Sequence, residues 1–218
     1  MLNKAINQNR NDSDRSIFKM NVQNIETLDN KCLFAKFMME YFPNNIPRTI
    51  SIRTNTIDYN DYTIDAGKRM IKKNAFGSSG YQTTILHQLS NCDRMIDTVV
   101  SEYITHKEYY VGHFIFYKGM FVRQIYFCAT SLQSNYIKKG PIVRYKVIEA
   151  HAMPCDLTIF ENIFKKLDYS GFASSDFIIV DNNVIIFEIN PRPGGSLIAN
   201  KKYCHEFFRA IIDMNINE

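Results

Sequence analysis

The sequence predicts an α+β fold built on antiparallel sheets, and three observations carry that reading. Two pairs of apolar runs are joined by short polar turns: Tyr109 to Phe116 with Met120 to Phe127 around Lys118-Gly119, and Phe177 to Val180 with Val184 to Phe187 around Asp181-Asn182-Asn183. Such pairs read as hairpins, and so as antiparallel strands. Helical spacing occurs in separate stretches, with apolar residues at 33, 34, 37, 38, 41 and 42, and again at Leu157, Phe160, Ile163, Phe164 and Leu167. A 45% hydrophobic and 13% aromatic content supplies a core for both kinds of element.

In order along the chain, residues 1–20 are polar, mixed in charge and aperiodic, and read as a loose arm that ends by residue 24. The helix over 31–42 takes Asp29 or Asn30 as its cap and stops at Pro43. Pro47-Arg48-Thr49 opens an extended segment, and residues 51–65 are polar with only weak alternation. Arg69 to Lys72 and Thr98 to Tyr103 read as strands. The Lys118-Gly119 hairpin follows, then a polar loop over 132–141 and a strand over 143–150 with Arg144 and Lys146 on one face. The helix starting near Asp156 closes around Gly171, and Tyr203 to Met214 forms a last helix.

The 218 residues suffice for one large domain or two small ones. A net charge of +4 permits an anionic ligand without demanding nucleic acid. Cys32, Cys92, Cys128, Cys155 and Cys204 are scattered and odd in number, which suits reduced thiols rather than disulfides or a zinc site. No apolar run approaches the ~18 residues needed to span a bilayer, and the polar amino terminus is no signal peptide. The expectation is a cytoplasmic protein with neither membrane nor nucleic-acid partner. His151, Cys155 and Cys204 have no neighbours in sequence that would activate them, and a structural role is expected for each.

The stretch with the most chemistry is Gly171 to Ser196, GFASSDFIIVDNNVIIFEINPRPGGS. Its hairpin loop holds two residues or three. The three-residue register, taken here, pairs Val180 with Val184, Ile178 with Ile186 and Asp176 with Glu188, with Asn183 left-handed in the turn. A two-residue loop would set Asp176 against Ile189 and turn the carboxylates to opposite faces. Facing carboxylates repel, so something must offset them. Asn190 projects from the face of Glu188 because side chains alternate along a strand. Asp176, Glu188 and Asn190 thus form an all-oxygen set suited to Mg²⁺ or Mn²⁺. Pro191 and Arg192 then end the strand and add a fixed cation.

A second stretch, Lys72-Lys73-Asn74-Ala75-Phe76-Gly77-Ser78-Ser79-Gly80, places a lysine at a strand end before a small flexible loop. Glycines let backbone N–H groups converge on phosphate oxygens, hydroxyls add donors and the lysine adds charge. The Walker spacing is absent.

Taken together, these pieces resemble the ATP-grasp superfamily. The matching residues are Asp29-Asn30-Lys31 before a helix, Ile71-Lys72 running into Gly77-Ser78-Ser79-Gly80, Glu102-Tyr103-Ile104 with Glu108, Ser175-Asp176, and Glu188-Ile189-Asn190-Pro191-Arg192. The resemblance implies a nucleotide clamped between a smaller lobe, residues 25–105, and a larger lobe, residues 106–218. It implies Lys31 and Lys72 on the phosphates, the Gly77–Gly80 loop closing over them, and Glu102, Tyr103 and Ile104 as the hinge against adenine. Glu108 would take the ribose hydroxyls. Asp176, Glu188 and Asn190 would hold Mg²⁺ or Mn²⁺, and Arg192 would neutralise the transferring phosphoryl group or the acceptor.

The implied activity is ATP-dependent ligation of a carboxylate to an amine through an acyl phosphate, on amino acids, peptides or small metabolites. A nucleotide-binding module or subunit without its own turnover is the rival reading, and an ATP-dependent carboxylase or kinase is a third. Two features depart from the family pattern. Relatives carry a Rossmann-like domain where this sequence has about 25 polar residues, short of the ~100 of a domain. Some relatives also place arginine where Ser174 stands. The sequence therefore leads one to expect a complete nucleotide site, a reduced acceptor site, and a homodimer or partner over the face left open.

Overall fold

Among the described residues, two antiparallel sheets of five strands organise the chain. The computed structural model describes residues 21–54, 57–58, 68–77, 83–86, 97–106, 108–130 and 145–216. The expected arm over 1–20, Ser78 to Gly80, Cys92, the 132–141 loop and Arg144 lie outside the described residues.

The first sheet holds β1 (Thr49–Thr54), β2 (Ile57–Asp58), β3 (Met70–Asn74), β4 (Thr83–Leu86) and β5 (Thr98–Glu102), in the order β2-β1-β5-β3-β4. The second holds β6 (Glu108–Tyr117), β7 (Met120–Thr130), β8 (Tyr145–Ile148), β9 (Gly171–Val180) and β10 (Asn183–Asn190), in the order β10-β9-β6-β7-β8. With helices packed on these sheets, the α+β class read from the sequence is the one observed.

Several elements escape the sequence pattern, a helix near the amino terminus and a short edge strand among them. Helix α1 (Val22–Asp29) starts inside the stretch assigned to the arm, capped by the Asn21 side chain, which accepts from the Gln23 amide at 2.9 Å. Its apolar residues fall only at every third position, too sparse for a helical stripe. Strand β4, Thr-Thr-Ile-Leu, is short and lies at the sheet edge, where pairing with β3 makes it a strand.

Helix α2 (Lys31–Tyr41) serves both sheets. Asn30 caps it, its side-chain oxygen accepting from the amides of Cys32 and Leu33 at 2.9 and 3.2 Å, an arrangement worth about 1 kcal/mol. Cys32 and Ala35 pack on Ala75 and Val99 of the first sheet. Phe34 and Met38, on another side of the helix, enter the core of the second sheet with Phe114, Phe177 and Ile186. That core is closed by α3 (Thr158–Lys166), whose Phe160 and Phe164 lie against Phe114 and Phe116.

The other face of the second sheet carries Tyr109, Val111, Ile115 and Ile178 beneath α4 (Gly195–Ile198) and α5 (Lys201–Ile216), which contribute Leu197 and Phe207. This is the face that bears the chemistry. No helix among the described residues is long and apolar enough to cross a membrane.

Candidate functional site

The β9–β10 hairpin turns on two residues, not three. Asp181 and Asn182 both take positive φ, 50° and 62°, the backbone of a turn whose twist matches its strands. Val180 pairs with Asn183, so Asn183 begins β10 instead of sitting left-handed in the turn. It is held there by the 43–45 turn: its side chain donates to the Asn44 carbonyl and accepts from Asn45 Nδ2. Left uncorrected, that register would misalign the acids. A bulge between Ile186 and Glu188 adds one residue, Phe187, and from there Glu188 faces Asp176, Ile189 faces Ser175 and Asn190 faces Ser174. The expected pairing is met by a different route.

Phe177, Ile186 and Ile189 point into the α3 core, while Ile178 and Phe187 belong to the opposite face. By alternation Asp176, Glu188 and Asn190 share that opposite face. Asp176 is buried. The Tyr109 hydroxyl, buried beside it, donates to its carboxylate; burial first, then the charges of Asp176 and Glu188, push the phenol well above its ordinary range. Tyr109 also stacks on Phe187, with ring centroids 6.2 Å apart. Asn190 Nδ2 donates to Glu188 Oε1 at 3.3 Å, and Arg192 donates to Asn190 Oδ1 at 3.4 Å.

Helix α2 and the first sheet each deliver a cation to this face. The Lys31 amide donates to the Ala75 carbonyl at 2.9 Å, fixing the start of α2 against the glycine-rich loop. Its ammonium then donates to the Gly77 carbonyl at 2.8 Å and lies 3.8 Å from Glu188 Oε2. Gly77 takes φ 145°, a backbone that side chains other than glycine's rarely adopt. The second cation is Lys73, whose ammonium sits 5.3 Å from the centre of the Phe187 ring. Lys72, the lysine singled out in the sequence, alternates to the face of Met70, Val100 and Leu86.

Residues 102–104 run from β5 toward β6. The Glu102 and Tyr103 amides donate to the carbonyls of Arg48 and Arg69 at 2.8 and 3.0 Å. Lys68 approaches Glu102 at 3.6 Å, Arg69 lies over the Tyr103 ring, and Ile104 packs against the Tyr109 face. Glu108 is not brought to the carboxylates. Its Oε2 accepts from the Tyr110 hydroxyl at 2.5 Å, and Tyr110 stacks on Phe177 on the α3 side of the sheet.

Behind Asn190 lies a histidine absent from the sequence reading. His113 faces Ser174 across β6 and β9 and is fully buried. The Gly194 amide donates to its Nδ1 at 3.3 Å, so Nδ1 is the acceptor nitrogen and Nε2–H donates to Ser196 Oγ at 2.8 Å. The ring is therefore neutral, and it leaves the Ser196 hydroxyl hydrogen free to point at a ligand. A Cβ on Gly194 would come within 2.7 Å of His113 Cε1 and 3.1 Å of Ser174 Oγ. That close packing explains why a small serine occupies position 174.

Among the described residues no three His, Cys, Asp or Glu side chains gather as a metal group. A cation here would rest on the Asp176–Glu188 pair, the Asn190 amide oxygen and oxygens of a ligand. That donor set fits Mg²⁺, which takes few protein ligands and keeps phosphate oxygens or water.

The sequence matches the ATP-grasp domain family over residues 28–196. The chain belongs to the ATP-grasp family. Solved structures of similar fold include D-alanine–D-alanine ligase from Bacillus anthracis, with a TM-score of 0.57 at 17% identity over 92% of this chain and 71% of that one. The same ligase complexed with ATP gives 0.56 at 18% identity, over 88% of this chain and 67% of the ligase. N5-carboxyaminoimidazole ribonucleotide synthetase from Thermotoga maritima gives 0.54 at 16%, covering 87% of this chain and 50% of that enzyme. At such identities the likeness is one of fold. Curated protein sequences gave no match.

Against this ATP-grasp frame, sequence reasoning missed Lys73, Tyr109, Phe187, His113 and Ser196. Phe187 was hidden because a bulge, which puts neighbouring residues on one face, leaves no mark in the apolar pattern. Tyr109 and His113 were legible in principle, since they share odd positions of β6 with Val111 and Ile115. Ser174 and Cys128 accompany two buried faces that periodicity alone does not rank.

Proposed function

We propose that this ATP-grasp chain is an ATP-dependent ligase that joins a carboxylate to an amine through an acyl phosphate. The observation that carries the reading is Asp176 facing Glu188 across a bulged hairpin, with Asn190 and Arg192 following and Lys31 reaching Glu188 from the start of α2. Phosphoryl transfer asks mainly for positioning and for neutralised oxygen charge, and this face offers both.

In this reading the base lies along Glu102–Ile104, and Phe187 and Tyr109 form the apolar wall beside it. Lys31 and Lys73 face the phosphates, and the loop from Gly77 through Ser78, Ser79 and Gly80 covers them. Asp176, Glu188 and Asn190 would hold Mg²⁺, which would supply neutralisation of phosphate oxygen charge when bound. Without it, Lys31 and the Tyr109 hydroxyl already offset part of the acid pair. A ribose contact from Glu108 would need its carboxylate to leave Tyr110.

The acceptor carboxylate lies beyond Asn190, near Arg192 and the Ser196 hydroxyl. Its oxygen attacks the γ-phosphorus and ADP departs. The amine then attacks the acyl carbon, the carbon–oxygen bond to phosphate breaks, and the amine proton passes to solvent. Arg192 neutralises the phosphoryl oxygens in the first step and the departing phosphate in the second.

A carboxylate labelled with ¹⁸O tests this reading. Incubation with ATP, Mg²⁺ and mixed amino acids should carry one label into inorganic phosphate. ADP formation without label transfer would sink the acyl-phosphate route, and absence of ADP formation with any carboxylate and amine would favour a binding module.

A further inference from the structure

His106 is a polar residue of the site that the ligase chemistry does not use. It follows the Glu102–Ile104 segment, and its ring lies 5.9 Å from that of Tyr109 and 5.8 Å from that of Phe187, centre to centre. It therefore stands in the apolar wall beside the carboxylate pair. Its Nδ1 is 2.9 Å from the Ile104 carbonyl oxygen. A carbonyl only accepts, so Nδ1 carries a proton, and in the neutral tautomer that this bond selects the lone pair is on Nε2. That Nε2 is buried and has no hydrogen-bond partner among the described residues. Buried polar atoms are almost always paired, and an orphan beside an empty polar task is a candidate ligand contact.

We propose that His106 reads the nucleoside, its Nε2 accepting a hydrogen bond from a sugar hydroxyl or a base amino group of the bound nucleotide. The proposal rests on the nucleotide reading above. Glu108, the residue two places on that was expected at the sugar, is held by Tyr110 toward the opposite side of the sheet. The His106 ring lies on the side of the sheet that Tyr109 and Phe187 share with the acids. The Ile104 carbonyl sets its tautomer in advance, so no proton has to move when the nucleoside arrives.

The test is direct nucleotide binding by calorimetry with Mg²⁺, comparing ATP with 2′-deoxy-ATP, 3′-deoxy-ATP and the triphosphate of purine riboside, which lacks the 6-amino group. In the parent protein one of these deletions should weaken binding about tenfold, or about 1.4 kcal/mol. His106→Phe should bind ATP about tenfold more weakly and lose discrimination for that same analogue. His106→Gln, which keeps an acceptor, should recover part of the affinity.

If His106→Phe does not fold, nitrogen-15 NMR of the parent serves instead. Nucleotide should shift the His106 Nε2 resonance and leave Nδ1, held by Ile104, in place. Equal ATP affinity in parent and His106→Phe, discrimination that persists in the variant, or an unmoved Nε2 resonance overturns the proposal while sparing the nucleotide reading. A parent protein that binds no ATP overturns both.

Discussion

The ammonium of Lys31 lies 3.8 Å from Glu188 Oε2, bringing the first residue of α2 onto the acid pair of the second sheet. The same ammonium donates to Gly77, where the glycine-rich loop begins. One side chain thus ties the loop, the helix start and the carboxylates together. Lys31→Met should weaken ATP binding by about ten- to a hundred-fold, the range for losing a hydrogen bond to a charged group. It should also lower the melting temperature of the nucleotide-free protein, because Asp176 and Glu188 then face each other with less offsetting charge. Calorimetry and thermal denaturation read the two effects separately, and an unchanged affinity would make Lys31 a structural cation only.

Lys72 and Lys73 point to opposite faces of β3, and only Lys73 reaches Phe187. Lys73→Ala should therefore reduce ATP affinity more than Lys72→Ala. The reverse ranking, measured on the two variants in parallel, would return the phosphate role to Lys72.

The two lysines also show what a sequence does and does not disclose. Strand β3, the loop after it and a lysine between them were all legible from residue types. Which lysine faces the site depends on how β3 sits between β4 and β5, and register is a tertiary property. The hairpin teaches the same point. Asp176 opposite Glu188 was legible, yet the turn has two residues and the Phe187 bulge absorbs the difference. Two compensating features gave the expected pair for a reason no local pattern contains. Alternation at the first residue of β6 sends Glu108 toward Tyr110, a placement the residue types alone do not disclose. Helix α1 and strand β4 went unseen because packing and pairing form them, with little periodicity to advertise either.

Gly194→Ala should cost about 1–3 kcal/mol of stability, as overpacking does, since its Cβ would press on the buried His113 ring and Ser174. Gly195→Ala meets nothing within 4 Å and should be nearly neutral. Urea denaturation of both variants checks this. Equal stability of the two would mean that the 194–196 segment is looser than the His113 contacts require.

Asp156 anchors the start of α3, accepting from the Thr158 amide at 2.9 Å and from the Thr158 hydroxyl at 2.8 Å. The Thr158 amide bond, followed by the hydroxyl bond, holds its carboxyl below the ordinary value of 3.8. A depressed folded-state value means stability that is present above 3.8 and lost as pH falls through the lower folded value. Asp156→Ala should therefore melt earlier than the parent at pH 7, with the gap closing as pH drops below 3.8. A gap that stays constant across that range would remove the Asp156–Thr158 contact from the account.

Glu188→Gln with and without Mg²⁺ tests the carboxylate pair most directly. In the nucleotide-free protein the lost Lys31 ion pair offsets the relieved repulsion from Asp176, so the melting temperature should barely move. ATP affinity in Mg²⁺ should fall at least tenfold, while affinity in EDTA stays near that of the parent. A Glu188→Gln protein that melts normally and binds ATP in Mg²⁺ as tightly as the parent would contradict the metal-holding role of this hairpin.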